Sequence, residues 1–308
     1  RGLIVRVLLI VNASASSVTE RGRVVIQKAL SADHDVETAT TSRRGHATRL
    51  AQGAAAEGMD AVVVLGGDGT LNEAANGLAG TTTALGVLPG GSTNVFARTI
   101  GMTNDPIEAT GELLSSMARR AKRRIGLGMV NGRYFLFHVG VGYDAAVVQQ
   151  VEKRSALKRY AGHPLFAYAS VVTWMRYYDR SRPRFAVRFD DGSVIDDGVF
   201  SICLNTNPYT FVGNRPFNVD PRAGLDSALS MTTFRDLGFV RIVGAAASAL
   251  NSGRRLRRDR CIDRRSDIPA MTVSGYGPFP YQVDGDYLGE IESLEFKYEP
   301  DCLDVYLP

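Results

Sequence analysis

The stretch Val62 to Ala75, VVVLGGDGTLNEAA, joins a buried strand, a glycine-rich turn and a helix start within fourteen residues. Val62, Val63, Val64 and Leu65 form a short continuous apolar run, the pattern of a strand covered on both faces in a parallel sheet. Gly66, Gly67 and Gly69 then tolerate backbone geometries that a Cβ would block, and they let the main chain approach a ligand closely. Leu71, Ala74, Ala75 and Leu78 recur at helical spacing, so the turn empties onto a helix N-terminus, where free N–H groups and the dipole favour an anion. A phosphate is the expected guest. Asp68 inside the turn could hold Mg²⁺ or a water against the phosphates, and Thr70 could donate to an oxygen. The structural alternative is a tight strand-to-helix turn with an acid favouring the helix start.

At 308 residues the chain is long enough for two cores, and two domains are expected. No uninterrupted apolar stretch is long enough to cross a bilayer as a helix. The chain opens Arg1, Gly2, Leu3, without Met or a charged-then-apolar leader. That start reads as a fragment boundary rather than a signal peptide, and flanking domains could be missing. The net charge of +4 is modest, but Arg is clustered at 119–124 and 254–265. Cys203, Cys261 and Cys302 lie far apart without metal-like spacing, and their odd number fits a reducing cytosol better than a disulfide framework.

Val5 to Val11 reads as a first strand, Val36 to Ala39 as a second and Ala84 to Leu88 as another. Helices are expected up to about residue 30 and over His46 to Glu57. This βαβα rhythm predicts an α/β layered domain with a mostly parallel sheet over residues 1–124. Ligands in such sheets bind outside the carboxyl ends of the strands, here the loops after residues 11, 39, 65 and 88. Beyond residue 124 short alternating runs dominate: 133–139, 184–189, 199–205, 229–234, 271–274, 281–283 and 294–298. They predict a β-rich second domain over 125–298. Two helices interrupt it, one over Pro164 to Tyr178 with the only Trp, Trp174, and one over Leu237 to Leu250.

A second glycine-rich turn, Leu88-Pro89-Gly90-Gly91-Ser92-Thr93-Asn94, follows the next strand, so the two turns make a two-sided cradle. Arg98, one helical turn further on, could reach a phosphate or pair with an acid. Near the other end of the chain, Asp284-Gly285-Asp286 carries two carboxylates, although Asp-Gly is also a common hairpin signal. His34, His46, His138 and His163 show no ligand spacing.

GGDGTLNE followed by LPGGSTNVFAR resembles the diacylglycerol kinase catalytic domain family, the bacterial lipid kinases related to sphingosine and ceramide kinases. TSRRGHA from Thr41, GYDAA from Gly142 and DGDYLG from Asp284 are similar to later family blocks in order and approximate spacing. The resemblance implies a nucleotide-binding α/β domain, a β-sandwich-like C-terminal domain and a site in the cleft between them, with residues 299–308 returning to the first domain. It implies ATP and Mg²⁺ as cofactors, with Thr41, Gly66, Gly67, Asp68, Gly69, Thr70, Leu71, Asn72 and Ser92 contacting ATP and Asp68 organising the metal. Asp286 would be the general base, standing where bacterial relatives usually carry Glu; Asp284 and Asp68 are the other catalytic candidates. Phosphoryl transfer needs such an acceptor for the attacking hydroxyl's proton.

The sequence also departs from the family. Its first loop commonly reads NPxxG, whereas this chain has Asn12-Ala13-Ser14-Ala15-Ser16, so Asn12 is the weakest of the nucleotide contacts. A structural Mg²⁺ loop in some relatives carries an Asp-Gly pair; the matching stretch here is Gly224-Leu225-Asp226-Ser227-Ala228, with Ser227 where that Asp would be, and no such metal is expected.

A lipid acceptor implies work at a bilayer surface. The helices at 164–178 and 239–250 could line a slot for acyl chains, and Arg254, Arg255, Arg257, Arg258 and Arg260 could rest on anionic headgroups. Core helices and a solvated basic turn are the alternative. The expected setting is cytoplasmic and peripheral at the inner membrane face. No nucleic-acid recognition motif accompanies the charge. Oligomeric state is open, a homodimer being compatible. The competing functions are an NAD kinase-like enzyme, disfavoured by LPGGSTNVFAR and the apolar slot, and a catalytically silent nucleotide- or lipid-binding module, suggested by the shortened acid at Asp286.

Overall fold

The computed structural model describes residues 4–153, 168–179, 181–251 and 259–308. The expectations that fall on Arg1 to Leu3, on His163 and the start of the 164–178 helix, and on Arg254, Arg255, Arg257 and Arg258 lie outside the described residues. The chain divides into two units, Arg1–Leu127 with Glu299–Pro308, and Gly128–Tyr298.

In the first unit four parallel strands, β1 (Arg6–Val11), β2 (Asp35–Thr40), β3 (Ala61–Gly66) and β4 (Ala84–Pro89), stand in the order β2-β1-β3-β4. Every residue of β3 and β4 is buried, as the unbroken apolar runs require. The intervening helices are α1 (Glu20–Ser31), α2 (His46–Ala56) and α3 (Asp68–Leu78), followed by α4 (Val95–Thr99) and α5 (Pro106–Ala118). Two of these are capped by their own sequence. Thr19 accepts from Gly22 N at α1, and Asp105 accepts from Ile107 N and Glu108 N at α5, with Pro106 in the first turn. Helices α2 and α4 follow left-handed residues, Gly45 and Asn94, and neither has a side-chain cap at that position.

The pairings Val11 with Thr40, Val11 with Leu65, and Gly66 with Pro89 align the carboxyl ends of all four strands. The loops that carry Asn12, Thr41, Gly67 and Gly91 therefore leave from a single sheet edge, as the βαβ rhythm predicts.

The chain leaves the first unit within β5 (Lys122–Val130) and re-enters it within β16 (Asp286–Tyr306), whose Val305 pairs in parallel with Leu85. The second unit contains β6 (Arg133–Phe135), β7 (His138–Gly142), α6 (Tyr143–Glu152), a π-helical turn (Thr173–Tyr177), β8 (Phe185–Phe189), β9 (Val194–Gly198) and β10 (Phe200–Leu204). It continues through β11 (Thr210–Val212), β12 (Arg215–Phe217), β13 (Leu229–Phe234), α7 (Phe239–Asn251), β14 (Ile262–Ile268) and β15 (Ala270–Val283). Its main antiparallel order is β14-β13-β10-β7-β15-β16.

Strand β10 shows how this sheet is covered. Cys203 packs into one core with Phe135, Phe185, Phe279 and Val283, while Ile202 and Leu204 pack into another with Tyr143, Val151 and Phe234. Alternate residues thus feed opposite faces. Three differences from the sequence expectation are informative. The run 133–139 is broken into β6 and β7; the runs at 271–274 and 281–283 belong to one strand, β15; and α6, apolar on most sides, is a helix that periodicity does not reveal.

Candidate active site

The first glycine turn is shaped by contact with the second. Neither Gly66 and Gly67 nor Gly90 and Gly91 adopts a positive φ, so the left-handed region is not what these positions require. Close approach is. A Cβ on Gly91 would lie 2.7 Å from Gly67 Cα, and one on Gly90 would lie 2.8 Å from Gly66 N. Gly90 N donates to Gly66 O at 2.8 Å, and Ser17 N donates to Gly90 O at 2.9 Å, binding the loop after β1 to the same pair of turns. Gly91 N donates to Asn94 Oδ1 at 2.8 Å, and Asn94 Nδ2 donates to Gly91 O and to Asn104 Oδ1.

Asp68, the first residue of α3, caps another helix. Its carboxylate accepts from Val95 N at 3.0 Å and Phe96 N at 3.2 Å, the donors that α4 leaves unpaired. Burial raises its carboxyl above the ordinary value, opposed by the N–H groups of Val95, Phe96 and Asn94 and by Arg98. Burial likewise lowers the Arg98 guanidinium, with Asp68 opposing.

Glu73 repeats the device. Its carboxylate accepts from Gly45 N at 2.8 Å and Ala47 N at 3.1 Å at the start of α2, while its carbonyl accepts from Thr48 Oγ1. Sequence inspection missed Glu73. The available signal was RRGHA, a helix start without a serine, threonine or acid of its own to cap it.

The remaining first-unit candidates divide by exposure. Asn12 Nδ2 donates to Thr70 Oγ1 at 2.9 Å, and Asn12 N donates to Leu65 O, so these two side chains are held together beside the turn. Thr41 N donates to Val11 O, which places Thr41 beside the end of β1, and Ser92 is exposed on the second turn. Leu71 and Asn72 are buried, with Asn72 accepting from Asn76 Nδ2. Leu71 N donates to Gly67 O, so the N–H groups of Asp68, Gly69 and Thr70 precede the first intrahelical bond of α3.

In the second unit, Asp284 and Gly285 form the two-residue loop between β15 and β16, with Val283 paired to Asp286. Both loop residues have positive φ, 48° and 83°, as a tight hairpin of the Asp-Gly type demands. Asp284 is buried and its carboxylate accepts from Leu136 N at 2.7 Å, Phe137 N at 3.0 Å and His138 N at 3.0 Å. These three consecutive donors lie where the 133–139 run breaks between β6 and β7. Asp286 is different: its side chain is 27 % exposed and its Oδ2 lies 3.5 Å from Arg133.

Gly285 N donates to Gln282 Oε1 at 2.8 Å, and Gln282 Nε2 donates to Asp144 Oδ2 at 2.6 Å. Asp144, in the GYDAA stretch, also accepts from Tyr209 at 2.5 Å. Burial raises its carboxyl, and those two hydrogen bonds lower it. The His138 ring lies 4.1 Å from that of Tyr209, tilted by 36°, and burial pushes its imidazole down to about 3. Among the described residues no cluster of three or more His, Cys, Asp or Glu could hold a metal without further ligands.

An apolar surface lies elsewhere on this unit. Trp174 Nε1 donates to Leu237 O at 2.8 Å and its ring lies 5.4 Å from that of Phe239, joining the π-helical turn to the start of α7. Around this junction Met175, Tyr177, Phe239, Val240 and Val243 are exposed, Val240 to 84 %. No described helix is long and apolar enough to cross a membrane.

Residues 6–130 match the family model described as the diacylglycerol kinase catalytic domain. A diacylglycerol kinase of Bacillus subtilis is 40 % identical over 121 residues, an alignment covering 38 % of this chain and 39 % of that protein. The chain thus spans about two fifths of that relative's length. A solved structure described as a diacylglycerol kinase from Bacillus anthracis superposes with a TM-score of 0.78 at 22 % identity, covering 100 % of this chain and 99 % of that one. An NAD kinase from Archaeoglobus fulgidus, solved in complex with ATP, gives a TM-score of 0.54 at 11 % identity over 97 % of this chain and 93 % of its own. The mixed fold, parallel strands first and antiparallel strands after, is shared with these two-domain structures, and both glycine turns lie within the residues 6–130 that match the diacylglycerol kinase catalytic domain model.

Proposed function

We propose that this protein is an ATP- and Mg²⁺-dependent lipid kinase that transfers the γ-phosphoryl group to a hydroxyl of diacylglycerol or a related lipid. The observation that carries this is the pair of glycine turns, packed backbone to backbone at one sheet edge within the family-matching segment. The helix start of Asp68, Gly69 and Thr70 offers free N–H groups to phosphate oxygens, and Asn12, Thr41, Thr70 and Ser92 supply polar side chains beside it. Mg²⁺ fits this set as a metal that arrives with the nucleotide, since Mg²⁺ is usually held by one or two carboxylates plus substrate phosphates. Asp68 is the carboxylate that would hold it, and the ion would supply charge neutralisation on the phosphate oxygens.

Of the two hairpin acids, Asp286 suits proton removal. Asp284 is buried and accepts from three backbone donors, whereas the Asp286 carboxylate is partly exposed, with Arg133 3.5 Å away. In the transfer, the lipid hydroxyl oxygen bonds to the γ-phosphorus as the bond to ADP breaks, and Asp286 takes the hydroxyl proton. The exposed apolar surface at the π-helical turn and α7 suits contact with a bilayer that presents the acceptor.

Incubation with γ-labelled ATP and Mg²⁺ and, separately, diacylglycerol, sphingosine, ceramide, phosphatidylinositol or NAD tests the proposal. Label is expected on one of the lipids. Label only on NAD would make the chain an NAD kinase-like enzyme, and ATP binding without transfer to any acceptor would make it a silent module.

A further inference from the structure

We infer that Gln282 and Asp144 are positioning residues for phosphoryl transfer, linked as Tyr209–Asp144–Gln282–Gly285 so that they fix the turn on which Asp286 stands. The inference rests on Asp286 being the base of the proposed kinase reaction. Asp284 holds the hairpin from the side of the loop between β6 and β7 through three acceptor bonds, and the Gly285 peptide is held separately. Gln282 supplies that anchor. It is fully buried, its carbonyl oxygen accepts from Gly285 N at 2.8 Å, and its amide donates to Asp144 at 2.6 Å.

The amide cannot turn over without losing both bonds, because Asp144 offers only acceptors and Gly285 N only a donor. Asp144 is itself fixed, since its other oxygen accepts from Tyr209. Room for this arrangement exists only because residue 140 is glycine. A Cβ there would lie 1.7 Å from Asp144 Oδ2 and 2.6 Å from Gln282 Nε2. A general base must sit within hydrogen-bond reach of the proton it takes, so a small displacement of the turn costs rate rather than nucleotide affinity.

Gln282→Met keeps the length of the side chain and removes both bonds. It is expected to lower kcat by about 10²-fold, with KM for ATP unchanged. Amide exchange at Gly285 should accelerate, while Leu136, Phe137 and His138, held by Asp284, keep their protection. Asp144→Ala should reproduce the kinetic loss. Asp144→Asn should restore most of the rate, because its carbonyl can accept from Gln282 while its amide donates to the Tyr209 oxygen. That rescue separates positioning from a generally loosened fold, and it keeps the test valid if Gln282→Met does not fold. Asp286→Asn is measured alongside. If Asp286→Asn loses turnover while Gln282→Met and Asp144→Ala keep wild-type kcat and Gly285 protection, the inference is overturned and the kinase proposal stands. If Asp286→Asn itself retains turnover, the base assignment falls and this inference falls with it.

Discussion

The glycine turn after β3 and the hairpin at Asp284 each bring two carboxylates close together in sequence, and they use them differently. In the first, Asp68 and Glu73 both accept from backbone N–H groups of other segments, each supplying the cap that a neighbouring helix lacks. In the second, Asp284 does the same for the loop at Leu136 to His138, whereas Asp286 stays 27 % exposed with Arg133 3.5 Å away. An acid beside a glycine is therefore no indication of chemistry by itself. What separates Asp286 from Asp284 is exposure, since Asp284 is buried and the Asp286 side chain remains partly open to solvent.

The hairpin offers the sharpest way to break this contrast. Asp286→Asn should reduce transfer by about 10³-fold in a labelled-ATP assay while leaving unfolding free energy within about 0.5 kcal/mol of wild type. Asp284→Ala should do the reverse in order of cause: it orphans three buried N–H groups and costs about 3 kcal/mol in urea unfolding, activity falling only as the hairpin loosens. Equal stability losses for the two would remove the distinction between them.

In the first unit, Gly91→Ala forces its methyl against the Gly67 backbone, so a cost of about 2 kcal/mol is expected, together with weaker nucleotide binding in calorimetry. Asp68→Ala and Glu73→Ala should each cost about 1 kcal/mol, as lost helix caps do, measurable by thermal unfolding.

A pH effect of similar size concerns His138. Its imidazole is neutral in the fold, titrating at about 3, and charges near 6.5 in the unfolded chain. Its contribution to stability is full above about pH 6.5 and is lost as pH falls towards 3. Between pH 7.5 and 5.5 this amounts to about 1 kcal/mol, which His138→Phe should remove from the pH dependence of urea unfolding.

The parallel half of the fold was legible because its strands are buried on both faces, which leaves unbroken runs such as Val62 to Leu65 between glycine turns. The second half was harder because β15 and β16 run for 14 and 21 residues with interrupted alternation, so only their buried stretches stand out. The glycines were legible as a site but not in their reason, since backbone approach between two turns leaves the same letter in the sequence as a positive φ. Nothing adjacent to Glu73 or Gln282 names the group that each one holds. Their partners, Gly45 and Asp144, lie 28 and 138 residues away, and the bonds that matter exist only after folding.

The reciprocal capping within the first unit has a consequence for how that unit opens. Helix α3 supplies the acids that close the starts of α2 and α4, so a fluctuation that frays its first two turns uncaps both neighbours at once. The three helix starts should therefore exchange their amide hydrogens as a single cooperative block rather than as separate ends. A nucleotide settling on any one of them would slow exchange in all three.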